Sequence, residues 1–209
     1  MRDVLLGAPN LDLDIVLEGS AIRMGQLLSS RLGGRLTVHK RFHTAVWHIA
    51  DHRKQVASNL GRDFGRRLSP EGLPPFLDLI TARQETYARP GALPEVHRAK
   101  IKEDLFRRDF TVNTLTIRLF PSYSEFLDLW GGYNDLRLKQ LRTLHPRSFS
   151  DDPTRILRIL RLAGRLGFQS ERKTLGQLKG SLGDLKRVSP QRIYNELFLI
   201  LQEEKRVPI

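Results

Sequence analysis

Asn10-Leu11-Asp12-Leu13-Asp14-Ile15-Val16-Leu17-Glu18 follows the turn signal Gly7-Ala8-Pro9-Asn10 and alternates in character through β-forming residues. Side chains two apart in a strand stand on one face, so the stretch predicts Asp12 and Asp14 side by side. Adjacent carboxylates repel each other unless a cation neutralises them. A hard divalent ion such as Mg²⁺ takes that oxygen environment, often beside substrate phosphates. Two aspartates on the wet face of an edge strand fit the same pattern, and both readings stand at this level.

Working outward, Ser20 to Arg31 reads as a helix with Ser20 as N-cap and Gly33-Gly34 as its stop. Arg35 to His39 and Thr44 to Ile49 read as strands joined by a turn at Lys40-Arg41. Asp51 to Pro70 is polar and highly charged, and reads as a loop or mobile insertion. Pro75 to Thr81 predicts a strand carrying Asp78 between apolar neighbours, and Tyr87 to Pro94 a turn-rich loop with two prolines. A helical stretch begins at Ile101, and strands are expected through Thr116 to Phe120 and Phe126 to Trp130. Past Leu144 no strand is expected. Ile156, Ile159, Leu160, Ala163 and Leu166 follow a 3.6-residue period in a helix from Asp152 to Gly167. Further helices fit Glu171 to Leu182 and Ser189 to Glu204, the last with Ser189 as N-cap and Pro190 in its first turn. The fold class is therefore α+β, with a mixed strand-and-helix domain over 1–145 and an all-helical one over 146–209.

Composition narrows the partners. The 209 residues carry a net charge of +12. From Lys139 onward there are 15 Lys and Arg against 7 Asp and Glu, so the final third holds most of the excess. Positive charge concentrated in this way points to a polyanion, or to a merely basic surface. The absence of cysteine excludes disulfides and thiolate metal sites. No apolar run approaches the roughly 18–20 residues of a membrane span. The N-terminus has no signal-peptide pattern, so a soluble cytoplasmic protein is expected.

Three charged groups are candidates for chemistry. Arg107-Arg108-Asp109 sets guanidinium groups suited to bidentate phosphate contact beside a carboxylate that can accept from a ribose hydroxyl; a solvated charge run at a helix end is the plainer account. Asp152 and Arg155 lie three apart at a helix start, where they share a face and can bond each other. They present either a mixed acceptor–donor edge to a nucleobase or a simple acidic cap with a salt bridge. Arg158, Arg161 and Arg165 continue a basic helix face that suits a polyanion or bulk solvent. No Walker loop, GxGxxG or Gx-Ser-xG pattern is present, and the six histidines lack zinc spacing.

In order, these pieces resemble the class II tRNA nucleotidyltransferase and bacterial poly(A) polymerase family. They are Asp-x-Asp, then Arg107-Arg108-Asp109-Phe110-Thr111-Val112-Asn113, then Asp151-Asp152-Pro153-Thr154-Arg155. Arg2-Asp3-Val4-Leu5-Leu6-Gly7 resembles the end of that family's glycine-rich opening. Thr81-Ala82-Arg83 with Glu85 and Tyr87, Pro90 to Pro94, Asp128 to Gly132, Leu144-His145, and Ser189 to Leu197 with Arg192 and Glu196 extend the likeness over most of the chain.

The resemblance implies a polymerase-β-like nucleotidyltransferase head followed by a helical neck. It implies Mg²⁺ on Asp12 and Asp14, which help activate the tRNA 3′-hydroxyl, and ATP and/or CTP as nucleotide. Arg2, Arg108, Asp109, Asn113 and Arg158 belong to the implied nucleotide site, with Arg2 and Arg108 on the triphosphate and Asp109 on the ribose. Asp152 and Arg155 select the base as a side-chain template. Asp78 is an accessory carboxylate and Arg161 an accessory cation. The same chemistry on other RNA, or a catalytically silent RNA-binding fragment, are the alternatives. The family's paired glycines and their preceding strand are not found before Met1, and its body and tail are not found before Ile209, so an incomplete gene product or a minimal member is expected.

Overall fold

The computed structural model describes residues 1–8 and 13–203. After one helical turn, α1 (Arg2–Leu5), come β1 (Asp14–Leu17), α2 (Ala21–Leu32), β2 (Arg35–His39), β3 (Thr44–His48), α3 (Arg53–Phe64) and β4 (Phe76–Thr81). The strands β5 (Arg83–Thr86) and β6 (Glu95–Arg98) pair with each other. Then follow α4 (Ile101–Phe106), β7 (Thr116–Arg118), β8 (Glu125–Leu127), α5 (Gly132–Arg137) and β9 (Gln140–Leu141). The remainder is α6 (Ser148–Asp151), α7 (Thr154–Leu166), β10 (Gln169–Ser170), α8 (Arg172–Ser181) and α9 (Pro190–Leu201). Packing groups the chain into a sheet unit, Gly7–Gln84 with Val96–Asp104, and a helix-rich unit, Met1–Leu6 with Glu85–Glu95 and Leu105–Ile209. This grouping does not coincide with a division at residue 145. Among the described residues no helix is long and apolar enough to cross a membrane.

The sheet unit is built on a mixed four-stranded sheet in the order β1-β4-β3-β2, with β1 parallel to β4 and the other pairs antiparallel. Alternation sends Leu79, Ala45 and Trp47 to one face, where they join Ala21, Leu32, Ile49 and Val56 in a buried cluster. The opposite face carries Asp14, Asp78 and Val46 in one row, because Asp14 and Val46 are both register partners of Asp78. Helix α2 is capped as expected: the Arg23 N–H donates to Ser20 Oγ at 3.2 Å. The Ala21 N–H donates to Thr81 Oγ1 at 3.0 Å and fixes the helix start on the end of β4. Two left-handed glycines, Gly33 and Gly34 (φ 90° and 86°), turn the chain from α2 into β2.

The expected loop at Asp51–Pro70 is instead largely helix α3, ending at left-handed Gly65. Only Val56 and Ala57 are fully buried, with Leu60 packed partly beside them. Three modest apolar side chains in a charged segment make a stripe too narrow to stand out in the sequence, yet wide enough to seat the helix. Asn59 Nδ2 adds a hydrogen bond of 3.0 Å to the Leu32 carbonyl at the end of α2.

The core of the helix-rich unit is Phe110, Val112, Leu115, Leu136, Leu141, Phe149, Ile156, Ile159, Leu162 and Phe168. The expected period of α7 places Ile156 and Ile159 in it, but Leu160 is 52% exposed and lies off the stripe. A strand does recur beyond residue 144: β10 pairs in parallel with β9 over two residues. Ser189 stands at the N-cap position of α9 without a capping side-chain bond, whereas Glu171 caps α8 by accepting from the Thr174 N–H at 2.9 Å. Strands β7 and β8 are shorter than expected, because pairing runs only from Thr116↔Leu127 to Arg118↔Glu125.

Candidate nucleotide site and candidate metal centre

The predicted residues fall into two groups, one in each unit. In the helix-rich unit, Phe110 is fully buried and holds the neighbouring Asp109 at 5% exposure. A carboxylate this deep needs compensation. Asp109 Oδ1 accepts from the Phe110 N–H at 2.8 Å and from Asn113 Nδ2 at 2.7 Å. Asp109 Oδ2 lies 2.7 Å from an Arg158 guanidinium nitrogen and forms an ion pair with it. Burial pushes the carboxyl pKa up, but Arg158, Asn113, Arg155 and the Phe110 N–H outweigh it and hold Asp109 below the usual carboxylate range. The Asn113 side-chain oxygen accepts from Arg2, whose guanidinium also pairs with Asp3 at 2.7 Å, and its carbonyl accepts from Arg108 at 2.9 Å. Arg2, Arg108, Asp109, Asn113 and Arg158 are thus brought into one connected group.

Asp152 precedes α7 and Arg155 lies in its first turn; the Arg155 N–H donates to the Asp152 carbonyl at 3.1 Å, but their side chains take other partners. Arg155 is 5% exposed. It donates to Ser148 Oγ at 2.7 Å and to the Arg107 carbonyl at 2.6 Å. Asp152 pairs with Arg192 of α9 at 2.7 Å instead, and closes a turn on Thr154. The reason is burial. Three-residue spacing makes a contact available, but the Arg155 guanidinium turns inward, where buried carbonyl and hydroxyl oxygens need a donor.

The Arg158, Arg161 and Arg165 face is also not a bare cationic strip. Arg158 meets Asp109, Arg161 lies 3.8 Å from Glu196, and Arg165 lies 3.9 Å from Glu203. Burial raises the Glu196 carboxyl pKa despite Arg158 and Arg161. Among the described residues, Arg158 Nε, Arg161 Nε and Glu196 Oε2 are buried without a hydrogen-bond partner, so the cluster keeps unused polar capacity.

Arg192, Thr154 and Ser148 were not singled out as site residues. Asp152-Pro153-Thr154 does carry a local signal, since an Asp side chain commonly accepts from the N–H two residues on. Arg192 is 40 positions away from Asp152, and no spacing rule pairs them. Nearby, Tyr87 donates to Glu85 at 2.7 Å and Glu85 pairs with Arg107 at 2.9 Å. Burial and the Glu85 charge push the Tyr87 hydroxyl pKa well up, so it stays protonated.

In the sheet unit, Asp14 opens β1, is exposed, and forms no ion pair among the described residues. Register with Asp78 puts the two side chains on one sheet face in neighbouring strands. Asp12 lies outside the described residues. Among the described residues there is no cluster of three or more acidic, histidine or cysteine side chains. Two in-register carboxylates nonetheless fit a hard divalent ion, which keeps several waters and shares substrate oxygens rather than needing an all-protein cage.

Comparison with known proteins bears on the family of the chain. The poly(A) polymerase head domain family matches residues 1–142. The A-adding tRNA nucleotidyltransferase of Geobacter sulfurreducens is 39% identical over 99% of this chain and 21% of its own length. That of Halalkalibacterium halodurans is 38% identical over 97% of this chain and 44% of its own. The chain therefore spans less than half the length of these relatives. A solved tRNA nucleotidyltransferase complexed with a primer tRNA and an incoming ATP analog superposes with a TM-score of 0.75 at 37% identity, over 97% of this chain and 51% of that one. The order of motifs, the mixed sheet with its helices, and these matches agree: the chain belongs to the class II tRNA nucleotidyltransferase and poly(A) polymerase family.

Proposed function

We propose that the protein transfers AMP and/or CMP from ATP or CTP to the 3′ end of tRNA in the cytoplasm. Residues 1–145 act as a polymerase-β-like head and 146–209 as a helical neck. The observation that carries this reading is the connected group Arg2–Asn113–Asp109–Arg158, with Arg155 on the same helix as Arg158 and Asp152 just before that helix. Asp109, kept ionised, accepts from the ribose hydroxyl, and Arg2 and Arg108 hold the triphosphate. Asp152 and Arg155 offer an acceptor and a donor to the base edge. Arg161 adds positive charge beside them. The 3′-oxygen attacks the α-phosphorus in line; a new P–O bond forms, the α–β bridging bond breaks, and pyrophosphate leaves. Asp12 and Asp14, with Asp78 as accessory, would hold Mg²⁺, which supplies charge neutralisation and favours the ionised 3′-oxygen.

The test offers the full-length protein tRNA ending before C, after C and after CC, each with labelled CTP or ATP separately. Incorporation that needs Mg²⁺ and disappears with Asp12→Ala plus Asp14→Ala is expected. Full incorporation by that double variant would remove the assigned site. The matched family's description as a poly(A) polymerase head supports a second reading, poly(A) synthesis. Unlimited ATP addition to a non-tRNA primer selects it. Salt-sensitive tRNA binding without Mg²⁺-dependent turnover would mark a silent RNA-binding protein instead.

A further inference from the structure

We infer that Arg192 and Thr154 are positioning residues that make Asp152 a one-oxygen acceptor, and that they thereby set discrimination between amine-bearing and keto-bearing bases. The inference rests on the reading above, in which Asp152 faces the nucleobase.

The geometry is asymmetric. Asp152 Oδ1 accepts from the Thr154 N–H at 3.1 Å, from Thr154 Oγ1 at 2.7 Å and from Arg192 at 2.7 Å. Those three bonds more than fill the two lone pairs of that oxygen. No hydrogen bond from the described residues reaches Oδ2. The clamp is itself anchored. Thr154 is 4% exposed, and Arg192 also donates to the Gly91 carbonyl at 3.3 Å from a helix that packs on α7. An unclamped aspartate turns about χ1 and χ2 and swaps its oxygens. Clamped through Oδ1, Asp152 presents one acceptor in one direction.

An acceptor held in place is a discriminator. The exocyclic amines of adenine and cytosine donate to it, whereas the keto oxygens of guanine and uracil set lone pair against lone pair. A carboxylate free to swing away would escape that repulsion and admit the wrong base. Rejection through a buried polar mismatch depends on the mismatched group being unable to move. Arg155 is anchored separately, through Ser148 and the Arg107 carbonyl. The acceptor and donor halves of the proposed template are therefore held by different residues, and disturbing one leaves the other in place.

The experiment is equilibrium dialysis of the full-length protein against ATP, CTP, GTP and UTP, with wild type, Asp152→Ala, Arg192→Gln, Arg192→Lys, Thr154→Val and Thr154→Ser. The expected result is a wild-type preference for ATP or CTP that Asp152→Ala removes. Arg192→Gln and Thr154→Val should each narrow it roughly tenfold, the worth of one hydrogen bond to a charged group. Thr154→Ser, which restores the hydroxyl, should recover the preference, and Arg192→Lys should recover part of it. If Asp152→Ala leaves the preference intact, or wild type has none, the base-facing reading fails and the inference with it. If Asp152→Ala removes the preference but Arg192→Gln and Thr154→Val merely weaken all four nucleotides equally, the positioning role alone fails. Should Arg192→Gln not fold, the Thr154→Val and Thr154→Ser pair decides, because the first is nearly isosteric and the second removes only one methyl.

Discussion

Asp14 and Asp109 belong to the same proposed reaction, yet their surroundings are opposite. Asp14 is exposed at the head of an edge strand, with no cationic side chain paired to it among the described residues. Asp109 is almost wholly buried, with Arg158 at 2.7 Å and two hydrogen-bond donors on its other oxygen. A carboxylate meant for a metal ion must be left without a protein counter-charge, because a resident guanidinium would compete with the ion. A carboxylate meant for a neutral hydroxyl has to be neutralised by the protein, because nothing in the ligand will do it. The contrast therefore separates the two proposed roles by electrostatics alone.

The sharpest way to break this contrast is to neutralise each aspartate in turn. Asp14→Asn should lower Mg²⁺-dependent incorporation by roughly a thousandfold, equivalent to several kcal/mol of transition-state stabilisation. Its unfolding midpoint should stay within about 0.5 kcal/mol of wild type, as for an exposed surface change. Asp109→Ala should do the reverse in stability, costing about 2–3 kcal/mol by urea denaturation. Removing one partner of a buried pair is expensive, and the figure is discounted because the Arg158 side chain is 40% exposed. Equal stability losses in the two variants would erase the distinction.

Next in size, Val56→Ala should destabilise by about 1–2 kcal/mol, because Val56 is 0% exposed in the core of the sheet unit. A mobile insertion would register no change. The smallest effect expected is a pH dependence to which His145 and Asp109 of the helix-rich unit contribute. Burial, helped by Arg155, lowers the His145 pKa from 6.5. The unfolded chain therefore takes up that proton first, and stability is lost as pH falls below about 6.5. The depressed carboxyl of Asp109 contributes stability above its ordinary value of 3.8 that is lost as pH falls through its lower folded value. Thermal melts from pH 7 to pH 3 should show both steps in wild type. Asp109→Asn should show a smaller second step, with the remainder due to the depressed carboxyls of Asp3, Asp63, Glu71 and Glu171.

The regular elements were legible wherever a period met a buried face: α2 with its Ser20 cap, the strands around Asp78, and the Ile156–Ile159 stripe of α7. Helix α3 was hidden because Val56, Ala57 and Leu60 are few and small. Helix α5 escaped because it is six residues long and opens on Gly132. At the site, residue types were legible and partners were not. Asp152 and Arg155 invited each other by spacing, but burial turned Arg155 toward Ser148, and Asp152 found Arg192 from a distant helix. Local pattern gives proximity; only the packed interior decides which donor each oxygen receives.

The place of β1 at the edge of the sheet has a mechanical consequence. Asp78 sits in β4, paired on both sides, while Asp14 rides on a four-residue strand paired on one side only among the described residues. The two carboxylates face the same way from supports of unequal stiffness. In the proposed metal site one would be a fixed post and the other a compliant one, which would let the pair tolerate small changes in oxygen spacing. Amide hydrogen exchange should register the difference, with Ile15 and Val16 opening sooner than Leu79 and Ile80.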